Sequence, residues 1–239
     1  MSNQKTAFFI CRCARLSVSL FHEDSMRLGS VKSKNCVFHL PLRSPFRIFA
    51  NKKYPMTEFE KMRSQELYDF SDPEIYASLK HAKDACTRLN TMTINDGGYR
   101  EMIEDLIPGI PADSVVCPPF HCDHGNGIRM GKNVFVNYNV TMLDGGAITI
   151  GDNCLIGPNC QLYTPQHPMD HVLRRRSVET AYPITIGEDT WLGGGVIVCP
   201  GVTIGKRCVI GAGSVVTKDI PDDCLAVGNP AKVIRKLNG

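Results

Sequence analysis

A chain of 239 residues, 43% of them hydrophobic and 21% charged, has the length and composition of a globular protein with one or two domains. No stretch approaches the roughly 18 apolar residues that a membrane-spanning helix requires, which excludes an integral membrane protein of the helical kind. The net charge of +3 does not point to nucleic acid, because residues 1–55 carry a net +8 and the remaining chain a net −5.

Those first 55 residues hold ten Lys and Arg against two Asp and Glu and are rich in serine, the composition of an organellar transit peptide. Pro41 and Pro45 interrupt any sustained amphipathic helix, which favours the plainer reading of a disordered or non-native extension ahead of a second start at Met56. The matching expectation for location is the cytoplasm, or the mitochondrion if the segment is a transit peptide.

Residues 56–114 read as a helical cap. Thr57-x-x-Glu60 is a capping box opening the run TEFEKMRSQELYDF. Asp72 reads as the N-cap of a second helix, with Pro73 in its first position and Glu74 in its first turn; Ile75, Leu79, Ala82 and Cys86 form its apolar face. A third helix is expected over 96–106, stopped by Pro108 and Gly109. So short a segment cannot bury a large core alone, and it should pack on the end or flank of the domain downstream.

From Val115 to residue 239 the period becomes six. Met130, Val136 and Met142 share one phase; the LDGGA turn then inserts two residues and resets the phase to Ile150, Ile156 and Leu162. The clearest series is Ile186, Leu192, Val198, Ile204, Ile210 and Val216, with Gly187, Gly193, Gly205 and Gly211 following four of its members. Two residues before each stands a mostly small residue: Ile184, Thr190, Val196, Val202, Cys208 and Ser214. Neither a helix nor a single strand produces such spacing, whereas a parallel β-helix does, one short strand and one turn per hexad. Cys154, Cys160 and Cys208 occupy inward phases, and the chain has no paired C-x-x-C motif among its 11 cysteines. They read as small core residues rather than disulfides or zinc ligands.

The repeat fails between residues 163 and 183, YTPQHPMDHVLRRRSVETAYP. A loop of this length thrown out of a compact repeat is uncommon unless it is functional. It holds His167, His171 and the run Arg174-Arg175-Arg176, to which no role is assigned. VIRKLNG at the end of the chain is suited to closing the last coil.

Hexads broken by a T-P-x-H-P loop (164–168) and resumed by PITIGEDTWLGGG (183–195), with FHCDHGNGIRMG (120–131), GAGSVVTKDIP (211–221) and GNPAKVIRK (228–236), resemble the hexapeptide-repeat sugar O-acetyltransferases of the maltose, galactoside and nodulation type. The resemblance covers residues 57–239. It implies a mainly β fold, a left-handed parallel β-helix with a small N-terminal helical cap and an extruded active-site loop. It further implies a homotrimer with active sites between subunits, acetyl-CoA as co-substrate and no required metal.

Residue by residue, the resemblance makes His167 the general base that removes the proton of an acceptor hydroxyl, a task matched by an imidazole whose unperturbed pKa is about 6.5. Asp123, Asn137, Asp144 and Glu179 fall on acceptor positions, as does either Asp69 or Asp72, with Asp72 also a candidate N-cap. His124 stands where relatives commonly carry tyrosine and is expected at the acceptor pocket; His121 and His171 read as surface residues. Gly145 departs from the galactoside-type relatives, which carry a carboxylate there, and this leans the reading toward maltose or glucose acceptors. On the donor side, Asn137 adjoins the acetyl group, and the Gly194 N–H is expected to face the thioester carbonyl. Ala212, Thr217 and Lys218 match the pantetheine groove, and Lys232 and Arg235 the CoA phosphates. Trp191, the only tryptophan, is expected to wall the cleft.

Three rivals arise from the same residues. A serine acetyltransferase would carry a much larger helical N-terminal domain. A γ-type carbonic anhydrase would place His121, His124 and His167 on zinc. A scaffold β-helix would bind no acetyl-CoA.

Overall fold

The computed structural model describes residues 55–237; the basic extension, and with it the two readings of that segment, lies outside them. Parallel strands of two to five residues wind into a solenoid with three sheet faces. The first face stacks the strands that begin at Val115, Phe135, Leu155, Trp191, Val209 and Cys224. The second stacks those beginning at Phe120, Val140, Gln161, Ile197 and Val215, and the third those beginning at Ile128, Ile148, Ile184 and Thr203. The chain visits the faces in this order in every coil. The segment Ala231–Lys236 turns back antiparallel on Cys224–Gly228 and closes the end of the first face, as expected of VIRKLNG.

The hexad aliphatics become rungs. Val116, Val136, Ile156, Leu192, Ile210 and Ala226 are successive partners on the first face. Met142, Leu162, Val198 and Val216 align on the second, and Met130, Ile150, Ile186 and Ile204 on the third. Apart from partly buried Met130, all of these are at most 1% exposed. Each buried aliphatic side chain contributes about 1.5–3 kcal/mol of transfer free energy, so the ladder supplies the core. The small residues two positions earlier also point inward: Thr190, Val196, Cys208 and Ser214 are buried. The Cys154, Cys160 and Cys208 thiols lie inside as expected, and each meets a carbonyl of a later turn at 3.1 Å, those of Gly187, Gly193 and Pro221.

Two devices turn the corners. A Cβ on Gly193 would lie 2.7 Å from the Ala212 nitrogen of the next coil, so only glycine permits that backbone approach. Other turns place Asn133, Asn139, Asn153, Asn159, Asp189 and Asp223 at φ between 53° and 60°, the left-handed region that Asn and Asp tolerate. Their side chains then bond along the solenoid axis, Asn133 to Asn153 and Asn153 to Asp189. Arg207 shares this conformation and instead donates twice to Asp223, at 2.6 and 3.0 Å.

The cap comprises α1 (Glu58–Arg63), α2 (Pro73–Leu89) and α3 (Tyr99–Leu106). Thr57 and Glu60 form the reciprocal capping box that the sequence predicts, and Asp72 caps α2. The first helix is shorter than the run after its cap. It ends at Arg63, Gln65 turns through φ 66°, and Tyr68–Asp69 is a strand. Ala82, Ala85, Leu89, Ile103 and Leu106 share one buried cluster with Val116 and Phe120, so the cap covers the start of the solenoid and not merely its flank. Among the described residues no helix is long and apolar enough to cross a membrane.

Candidate active site

The stretch read as a patternless loop has a local frame. Pro165–Gln166 pairs antiparallel with Val178–Ala181, and the other edge of Val178–Ala181 takes the cap strand Tyr68–Asp69. A single 3-10 turn, Leu173–Arg175, lies at the far end. Arg174 turns its guanidinium back onto the Pro168 and Met169 carbonyls at 3.0 and 3.1 Å. One member of the arginine run therefore braces the segment just after His167; no basic pattern in sequence could show that. Arg175 and Arg176 are exposed.

This frame faces a cleft of about 460 Å³ between α2 and the second solenoid face. Asp123, His124, Tyr163, His167, Glu179 and Lys83 supply its polar groups, while Phe70, Ile75, Leu79 and Leu143 supply apolar walls. His167 Nδ1 lies 3.6 Å from Glu179 Oε2. The His167 ring also sits edge-on to Phe70, with centroids 6.0 Å apart. With Nδ1 turned toward a carboxylate, Nε2 is the ring nitrogen left to accept a proton. Glu179 in turn accepts a hydrogen bond from Tyr68 at Oε1. Sequence reading missed Tyr68, because nothing in a cap strand signals a partner in the loop.

Asp123 stands in the cleft with its carboxyl pushed up to about 6, first by burial and then by the negative charges of Asp144 and Glu179, with Lys83 opposing. His124 is buried, its Nδ1 2.9 Å from the Ser78 hydroxyl, and burial pushes its pKa down to about 4 against the pull of Asp144. A carboxyl whose pKa is raised and an imidazole whose pKa is lowered are typical of a desolvated pocket.

Other expected positions lie elsewhere. Asp144 is fully buried, and its two oxygens accept the backbone N–H groups of His124 and Gly127 at 2.8 and 2.9 Å, so it builds the turn beneath the cleft and does not line the cleft itself. Asp72 accepts the amides of Glu74 and Ile75 as helix cap, and Asp69 accepts from Ser71; neither lines the cleft. His121 is exposed and lines a neighbouring hollow of about 310 Å³ with Lys83 and Asp123. His171 lies exposed in the loop. Among the described residues no three His, Cys, Asp or Glu side chains gather as a metal site, so His121, His124 and His167 do not converge within one chain.

The donor positions form a separate set. Asn137, Gly194 and Ala212 follow strands of the first face, at the corner where the chain crosses to the second. Thr217 and Lys218 follow the last strand of the second face. Trp191, 51% exposed, points outward from the first face. Lys232 and Arg235 stand on the closing strand. None of them lines the cleft that holds His167.

Residues 183–218 match the bacterial transferase hexapeptide, six repeats; residues 61–110 match the maltose acetyltransferase hexapeptide capping motif; residues 147–162 match the hexapeptide repeat of succinyl-transferase. The structure is similar to a maltose O-acetyltransferase from Clostridium difficile 630, at 40% identity and a TM-score of 0.75, over 77% of this chain and 99% of that one. The chain belongs to the hexapeptide-repeat acetyltransferases. Within the family it is also similar to the hexapeptide-repeat acetyltransferase VCA0836 of Vibrio cholerae, solved with acetyl-CoA, at 41% identity and a TM-score of 0.72 over 77% of this chain and 100% of that one. A galactoside acetyltransferase solved with coenzyme A matches at 35% identity and a TM-score of 0.71, over 77% and 92% of the two chains. Each of these relatives is spanned almost end to end, so cap, solenoid and loop together make up the family's unit.

Proposed function

We propose that this acetyltransferase moves the acetyl group of acetyl-CoA to a hydroxyl of a small sugar or glycoside, with maltose or glucose acceptors favoured, and that His167 is its general base. The observation that carries the reading is the His167–Glu179 pair set across a sugar-sized, carboxylate-lined cleft. Glu179 faces Nδ1, leaving Nε2 to take the proton of the acceptor hydroxyl as its oxygen attacks the thioester carbonyl carbon. The Gly194 N–H would hold the oxyanion of the tetrahedral intermediate. Its collapse breaks the carbon–sulfur bond, and the CoA sulfur leaves with the proton held on His167. Asp123 serves acceptor hydroxyls, accepting when ionised and donating when protonated.

Coenzyme A would run along the corner of Asn137, Gly194 and Ala212, past Thr217 and Lys218, with its phosphates toward Lys232 and Arg235. That corner and the His167 cleft belong to different edges of the solenoid. A complete site therefore asks for a second copy of the chain, which supports a homotrimer. The outward ladder of the first face, where Phe135, Leu155 and Trp191 are 37%, 49% and 51% exposed, offers the apolar surface for such association.

The deciding experiment is free-CoA release by purified protein supplied with acetyl-CoA and a panel of glucosides, maltose and galactosides, beside His167→Ala. Sugar-dependent release that falls by about 10²–10⁴ in the variant is expected of a lost general base. CoA binding without release on any sugar would discard the sugar acceptor, and absence of CoA binding would discard the transferase reading.

A further inference from the structure

Tyr68 comes from the helical cap and lies 111 positions before the residue it meets. Its strand pairs with Val178–Ala181 in a register that sets Tyr68 directly opposite Glu179, so the two side chains project from one face of the sheet. The hydroxyl donates to Glu179 Oε1, while Oε2 is the oxygen 3.6 Å from His167 Nδ1. The ring is 2% exposed and packs in a small cluster with Met62, Ile75 and Ala181.

Gly145 supplies a second, independent observation. A Cβ built there would lie 3.2 Å from the Tyr68 hydroxyl oxygen, while Ala181 Cβ and Pro165 Cγ would stand at 3.4 and 3.6 Å, ordinary contact distances. Only the hydroxyl is crowded. A Cβ there would push the phenol oxygen by a few tenths of an ångström, away from the position in which it meets the carboxylate.

From these contacts we infer that Tyr68 is a positioning residue of the transfer reaction: its hydroxyl holds the Glu179 carboxylate so that Oε2 faces His167 Nδ1, and Gly145 leaves that hydroxyl uncrowded. The cap is then part of the reaction machinery and not only a lid on the solenoid. This rests on the reading of His167 as base. Burial and the neighbouring carboxylates hold the phenol far above its ordinary pKa, so it stays a donor at every working pH. Asp123, His124 and Lys83 line the same cleft, and among the described residues the carboxylate facing His167 Nδ1 is that of Glu179.

Tyr68→Phe keeps the ring and removes the donor. The expected result is a kcat about tenfold lower, in the range for outer partners of a functional group, with acceptor KM unchanged. Nitrogen-15 NMR of the His167 imidazole should show the Nδ1–H tautomer losing population. Gly145→Ala should reproduce both effects in the wild-type background and add little in Tyr68→Phe, where the crowded atom is gone. Unchanged kcat and tautomer in Tyr68→Phe, or an equal Gly145→Ala effect in both backgrounds, would overturn the inference. A tautomer that responds to Tyr68→Phe in a protein that acetylates no hydroxyl would keep the positioning role and discard the proposed reaction. Intact transfer with an indifferent tautomer would discard the positioning role alone.

Discussion

At the scale of single residues, the cleft places charge where water is scarce, and Asp123 shows the cost. Its carboxyl titrates near 6 in the folded chain against 3.8 ordinarily. The folded state therefore binds the proton more tightly than the unfolded one, and ionisation destabilises the fold. That penalty is absent below pH 3.8, grows as pH rises toward 6 and is complete above it. Asp123→Asn should accordingly raise Tm at pH 7.5, lose that advantage at pH 4 and weaken acceptor binding. Calorimetry at the two pH values checks the first pair, and acceptor KM the third. His124 contributes in the opposite sense: its pKa falls from 6.5 to about 4, so its neutral form favours the fold above 6.5, and that contribution fades as pH falls toward 4. The sequence made His167, Glu179 and Asp123 visible as candidates through their motifs. It could not show that Asp144 builds a buried turn, because a turn-building carboxylate and a ligand-binding one have the same letter, and the amides of His124 and Gly127 that it accepts appear only in the fold.

At the scale of elements, the hexads were the most legible part of the chain, since each rung must be aliphatic and each close corner must lack a Cβ. The register of Ile204 on Ile186 follows from the period alone, whereas that of Ile186 on Ile150 is kept across the excursion between them. The excursion after Tyr163 was legible as an interruption but not as structure, because its strands, Pro165–Gln166 and Val178–Ala181, are short and take their partners from each other and from the distant cap. Its far end depends on Arg174. Arg174→Ala removes both bonds to the carbonyls just after His167 while leaving an exposed position with no core contact. Small misplacements of a reacting group are costly, so kcat should fall between about 10- and 100-fold with little change in Tm. A variant with full kcat would show that the loop holds its shape without the brace.

At the scale of the whole molecule, Asn137, Gly194 and Ala212 stand at a different corner of the solenoid from the His167 cleft, and the proposed assembly would join the two. Leu155 is 49% exposed in the middle of the outward ladder and carries none of the proposed chemistry. Leu155→Glu would set a charge into an apolar contact, and sedimentation should show a monomer that keeps its β-rich circular dichroism and loses transfer. A trimer unaffected by the change would move the interface to another face. Neither the partner edge nor the sharing of core between cap and solenoid could be read from the repeat, because both depend on which surfaces meet after winding is complete.

The sheet that joins Tyr68 to Glu179 also bears on the order of events in folding. Its strands are separated by most of the first coils, and closing so long a loop is entropically expensive until the intervening chain has compacted. A ribosome-bound fragment ending near residue 160 would hold the cap and the early rungs but no strand to receive Tyr68. The Tyr68–Glu179 contact is thus assembled late in synthesis, after the first coils have wound, and the segment that carries His167 gains its cap strand only then.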